Sequence, residues 1–97
     1  MLDISSVKGF EWDSGNSKKN WTKHNVTDEE CEQIFFHLPL LIQEDALHST
    51  KEPRWYALGK THTDRFLFLS FTIRGALLRI ISARAMSRKE RHSYEQA

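Results

Sequence analysis

The stretch Arg65-Phe66-Leu67-Phe68-Leu69-Ser70-Phe71-Thr72-Ile73-Arg74-Gly75-Ala76-Leu77-Leu78-Arg79-Ile80-Ile81-Ser82-Ala83 decides the fold class. Leu67, Leu69, Phe71 and Ile73 recur at every second position from Arg65 to Ile73, the period that places side chains on one face of a strand. Leu77 to Ala83 is a second apolar run, and the Arg74-Gly75 pair between them reads as a hairpin turn. Two strands joined by so short a turn are antiparallel. Immediately upstream, Arg54 to Lys60 carries Trp55, Tyr56 and Leu58 and predicts another strand, linked through a turn at Thr61 to Asp64.

Working outward, Leu40-Leu41-Ile42 is a short strand candidate and Gln43 to Pro53 a polar loop. Thr27-Asp28-Glu29-Glu30 is a capping box. It opens a helix whose Cys31, Ile34, Phe35 and Leu38 form one apolar face, and Pro39 ends it. Before it, Asp13 or Ser14 is expected to cap a mostly polar helix running to about His24, with Trp21 as its one large apolar anchor. Phe10-Glu11-Trp12 predicts a short first strand, and Met1 to Lys8 a loose start. Ser87 to Glu90 is a second capping box, opening the last helix. The order β-α-α-β-β-β-β-α over residues 1–97 predicts a single α+β domain. Its antiparallel sheet has about four strands, with two N-terminal helices and one C-terminal helix on one face.

The net charge of +1 hides an asymmetry: residues 1–48 carry a balance of −5 and residues 49–97 a balance of +6. The basic half suits an anionic partner; the competing reading, which charge alone favours slightly, is a folded dipole in which acidic helices cover basic strands. Cys31 is the one cysteine, so no internal disulfide forms, and its place on an apolar helix face predicts a buried thiol. No apolar run approaches membrane-spanning length, and Asp3, Lys8, Glu11 and Asp13 interrupt any leader-like start, so a cytoplasmic protein without membrane association is expected.

Walker and dinucleotide-binding glycine patterns are absent, and none of His24, His37, His48, His62 and His92 pairs with another at metal-ligand spacing on a helix. No metal or other cofactor is expected. The arginines are more informative. Arg54, Arg65, Arg74, Arg79 and Arg84 fall at strand ends or beside turns, where planar guanidinium forks can hold a phosphodiester and stabilise the charge that builds as it is cleaved. The competing reading pairs them with Glu11, Asp13, Glu52 or Glu95. Arg79 and Arg84 are five residues apart, so a regular strand points them to opposite faces unless a bulge intervenes. In the loop before Arg54, His48 is a candidate general acid or base, and Glu52 a base or an orienting carboxylate. On the last helix Arg88, Arg91 and Tyr94 are candidate RNA contacts, with packing the competing role for Tyr94.

These motifs together resemble the BrnT family, small toxins with a RelE-like ribonuclease fold. Phe10-Glu11-Trp12-Asp13 matches the opening signature; Lys19-Asn20 and Lys23-His24-Asn25-Val26 match the first-helix pattern, with Asn25 where the family usually has glycine. Asp45, His48, Glu52, Arg54 and Gly59 follow in order, and Arg79 to Arg84 with Glu90, Arg91, Tyr94 and Glu95 match the closing signature. The resemblance implies a RelE-like twisted sheet and metal-independent RNA cleavage that inhibits growth. In that mechanism the ribose 2′-hydroxyl attacks the adjacent phosphate. His48, Glu52, Arg54, Arg79 and Arg84 would be catalytic, and Arg65, Arg74, Arg88, Arg91 and Tyr94 RNA-binding. It also implies a BrnA-type ribbon–helix–helix antitoxin, through which alone the protein would meet DNA. The alternative is a non-catalytic module whose arginine rim docks that antitoxin and acts as co-repressor.

Overall fold

The computed structural model describes residues 2–97; Met1, the first residue of the expected loose start, lies outside them. The strands are β1 (Gly9–Phe10), β2 (Leu41–Glu44), β3 (Trp55–Lys60), β4 (Phe66–Arg74) and β5 (Leu77–Ala85). The helices are α1 (Lys19–His24), α2 (Asp28–Gln33) and α3 (Arg88–Glu95). The sheet order is β1-β5-β4-β3-β2. β2 to β5 pair antiparallel, as the hairpin turns require. The short opening strand adds to them in parallel, with Gly9 opposite Leu77 and Phe10 opposite Leu78. The crossover from β1 at one edge to β2 at the other runs through α1 and α2.

The alternating residues of β4 do face one core. Leu67, Leu69 and Phe71 pack with Ala57, Leu78, Ile80 and Ala83 of the neighbouring strands against Val26, Cys31 and Ile34. Phe35 fits between Phe10 and Phe71, ring centroids 5.7 and 5.6 Å away. Gly59 permits this closeness: a Cβ there would stand 2.9 Å from Ile34 Cβ.

The capping box of α2 forms in full, Thr27 Oγ1 accepting from the Glu30 amide and Glu30 accepting from the Thr27 amide. The apolar face it opens is shorter than expected. After Gln33 the chain tightens into a 3-10 turn (Ile34–Phe36), the period changes, and Leu38 swings out to 85 % exposure. The first helix also departs from expectation. Residues 14–18 are turns, and Asp13 binds the Gly15 amide and Arg79 instead of capping a helix. Trp21 is 54 % exposed; the buried anchor of α1 is Asn20.

Asn16 and Asn20 serve the outer edge of β5 beyond the end of β1. Asn16 Nδ2 donates to the Ile80 carbonyl (3.0 Å), and Asn20 Oδ1 accepts from the Ala83 amide (2.8 Å). Two side chains thus satisfy backbone groups that another strand would have paired.

The expectation of all helices on one face is corrected by α3. Its buried Tyr94 packs on Phe66, centroids 5.7 Å apart, and donates its hydroxyl to the Pro39 carbonyl (2.6 Å). Phe66 has the opposite parity to Leu67, so α3 lies on the second face, away from α1 and α2. Its short length and single buried anchor leave much of that face open.

Candidate active site

The second face is organised by cross-strand register. Ser82, Ser70, Tyr56 and Gln43 form one polar row, and Arg84, Phe68, Leu58 and Leu41 the next. Arg79 stands opposite Thr72 in a third row. β5 carries a bulge: Ser82 pairs with Ser70 while Ile80 pairs with Phe71, leaving Ile81 unmatched. The bulge reverses the parity and brings Arg79 and Arg84 to the same face.

Beside these rows the β2–β3 loop is drawn closed. The Asp45 amide donates to the Arg54 carbonyl (2.9 Å), and the Arg54 amide donates to Ser49 Oγ (2.9 Å). Asp45 caps a single 3-10 turn (Ala46–His48), and its carboxylate meets His48 Nδ1 at 2.9 Å. This contact orients the ring, and a neutral imidazole that donates to the carboxylate from Nδ1 keeps its lone pair on Nε2. His48 and Arg54 thereby border one open hollow of about 240 Å³, with Asp45, Phe68, Ser70 and Ser82 among its other walls.

Arg65, Arg74, Arg79, Arg84 and Arg91 are held by carboxylates. Arg79, its side chain 13 % exposed, contacts Glu11 at 2.9 Å and both oxygens of Asp13 at 2.9 and 3.0 Å. Arg74 chelates Glu52 through two 3.2 Å bonds and reaches Glu11 at 3.5 Å. Its hydrogen bonds keep the Glu52 carboxyl below the usual carboxylate range. Arg84 lies over Phe68, 4.2 Å from the ring centroid, and forms a two-pronged pair with Glu90 at 2.7 and 2.9 Å. Those bonds, with the Ser87 amide, bring the Glu90 carboxyl down to about 2. Arg65 lies elsewhere, binding Glu30 and the Asn25 and His24 carbonyls at the end of α1.

On α3, Arg91 covers Phe66 at 4.3 Å and reaches Glu95 at 3.8 Å, whereas Arg88 is exposed. Tyr94 is only 4 % exposed, so packing displaces the base-stacking role considered for it. Among the described residues the arginines without a carboxylate within 4.0 Å are Arg54 and Arg88, and Arg54 alone of these borders the hollow with His48.

Residue spacing did not single out Asp45, Tyr56, Ser70 or Ser82 as site residues. Asp45 was detectable: an aspartate three residues before a histidine meets it across one helical turn. Tyr56 was detectable too, as an alternate strand position sharing parity with Arg54. The fold also joins two histidines remote in sequence, His37 Nε2 and His62 Nδ1, 2.5 Å apart. No group of three or more His, Cys, Asp or Glu side chains arranged to hold a metal occurs among the described residues.

Comparison with known families adds what the geometry alone does not carry. The profile of the family described as "Ribonuclease toxin, BrnT, of type II toxin-antitoxin system" matches residues 12–90. The chain belongs to the BrnT family. The match runs from Trp12, at the end of the first-strand region, to Glu90, the partner of Arg84, and so spans every wall of the hollow. Comparison with curated proteins returns no match. BrnT membership brings a ribonuclease-type toxin of a toxin–antitoxin system, with RNA as target and an antitoxin as partner at the level of the family. No helix among the described residues is long and apolar enough to cross a membrane.

Proposed function

We propose that the chain is a metal-independent endoribonuclease whose reaction centre is the hollow between His48 and Arg54. The observation that carries this reading is their convergence there: an imidazole oriented by Asp45, and an arginine that no carboxylate neutralises. His48 Nε2 takes the proton of a ribose 2′-hydroxyl, the 2′-oxygen attacks the adjacent phosphorus, and the bond to the 5′-oxygen breaks. The leaving oxygen takes a proton from solvent, and the products are a 2′,3′-cyclic phosphate and a 5′-hydroxyl. Arg54 faces the phosphorane-like charge. Arg84, on the same face, supplies a second cation through its edge over Phe68. Arg74 and Arg79 support the rim from their carboxylate pairs, and Arg65 the α1–α2 junction. Arg88 and Arg91 offer backbone contacts from α3.

The partner proposed for the chain is a ribbon–helix–helix antitoxin, through which any effect on DNA would run. The non-catalytic reading, in which the arginine rim docks an acidic antitoxin segment, draws less support, because carboxylates of the chain itself already occupy Arg74 and Arg79. The test is to incubate the purified toxin with single-stranded RNA in excess EDTA and identify the new ends. Cyclic phosphate ends support the proposal; cleavage that stops in EDTA and returns with added zinc or magnesium overturns it.

A further inference from the structure

The hollow at His48 and Arg54 shares the Phe68 side chain as a wall with a second one, of about 360 Å³. Its floor is aromatic: Tyr56 and Phe68 lie 5.5 Å apart with rings inclined by 26°. Its wall is the exposed side of α3, which contributes Lys89, Glu90 and Ser93, and Gln43 closes the strand side. Gln43 accepts the hydroxyl hydrogen of Tyr56 and so fixes that ring. Nothing in the cleavage chemistry uses this second hollow.

We infer that it is a subsite for one nucleobase, the base next to the bond being cut. This rests on the ribonuclease reading and adds to it a residue-level account of substrate grip. The size suits a single planar heterocycle, and the Tyr56 ring, backed by Phe68 with the Arg84 guanidinium lying over it, suits a stacked base beside polar edges. Rows on one face of a strand are about 7 Å apart, a spacing comparable with that of successive nucleotides in an extended strand. The hollow therefore lies one step from a phosphate held at Arg54. Lys89, which no carboxylate within 4.0 Å neutralises among the described residues, stands where the next phosphate would leave. Bases stack without strong sequence preference, so Tyr56 supplies grip while Gln43 and Ser93 discriminate base edges.

The experiment uses a 2′-O-methyl RNA oligomer, which cannot be cleaved, so binding is read independently of chemistry. One abasic nucleotide is walked along it, and fluorescence anisotropy measures affinity for the wild-type toxin, for Tyr56→Leu and for Ser93→Trp, an exposed position where the indole fills the hollow. Loss of one base at one position should weaken wild-type binding on the order of tenfold or more. Both variants, checked as folded by circular dichroism, should bind the intact oligomer that much more weakly and lose the abasic penalty. Wild-type binding that ignores the abasic position, or that cannot be detected, overturns the subsite, as does Ser93→Trp binding at wild-type strength. Cleavage of unmodified RNA by the same wild-type preparation is scored separately: cleavage without an abasic effect removes the subsite alone, and absence of cleavage with an abasic effect removes the ribonuclease reading alone.

Discussion

Arg79 and Arg84 project from the same face of the sheet although they stand five residues apart on β5, because the unmatched Ile81 shifts the alternation between them. Shared facing does not give them shared roles. Arg79 is a half-enclosed strut between Glu11 and Asp13, whereas Arg84 lies across Phe68 at the edge of the groove. Arg79→Ala leaves two carboxylates without their cation and should lower the melting temperature by on the order of 5 °C. Arg84→Ala should lower RNA cleavage with a smaller change in melting temperature. Thermal melts and cleavage rates for both variants decide it; an equally stable Arg79→Ala contradicts the structural role.

The edge of β5 depends on Asn16 and Asn20. Replacing either with alanine strands a buried backbone group, at a cost of about 1–3 kcal/mol. Urea unfolding should show that loss for each variant. Variants as stable as the wild type would mean that the strand edge finds other partners.

Glu90 links stability to pH. Its carboxyl sits at about 2 in the folded chain, against an ordinary 4.5, chiefly because Arg84 hydrogen-bonds to it. A carboxyl with a lowered folded value stabilises the fold fully above the unfolded value, and that contribution is lost as pH falls through the folded one. The stability gap between wild type and Glu90→Gln should therefore narrow as pH drops from above 4.5 towards 2. A gap constant over that window, in denaturant titrations, contradicts the pairing.

Cys31 should be chemically silent. Burial, followed by Asp28, Glu30 and Glu32 nearby, pushes its thiol up to about 12, and the thiolate is the reactive form. A thiol reagent should label it only after unfolding; rapid labelling of the native protein would show that α2 opens.

Much of this was legible in the sequence, for identifiable reasons. The period of two in β4 and the turn at Gly75 survive any tertiary context, and both capping boxes formed because they are local hydrogen-bond devices. What sequence missed depends on contacts between distant residues. Trp21 read as an anchor because it is large, yet the strand edge needed amides, so Asn20 took the buried place. The side of the sheet that α3 covers follows from Phe66 and Pro39, neither near it in sequence. At the site, His48 and Arg54 were chosen by residue type, and the loop closure from Asp45 to Arg54 brings them together. That most other arginines answer to carboxylates of the same chain was one of two open readings, and only the paired geometry separates Arg54 from them.

The central claim is that His48 and Arg54 form the reaction centre, and the rate of RNA cleavage by purified single variants tests it most directly. Arg54→Ala removes a donor that acts where charge builds, so the rate should fall on the order of a hundredfold or more. His48→Ala should fall comparably, and Asp45→Asn less, with melting temperatures of Arg54→Ala and His48→Ala near wild type. If Arg54→Ala and His48→Ala are folded and cleave RNA at the wild-type rate, the reaction centre is not in this hollow.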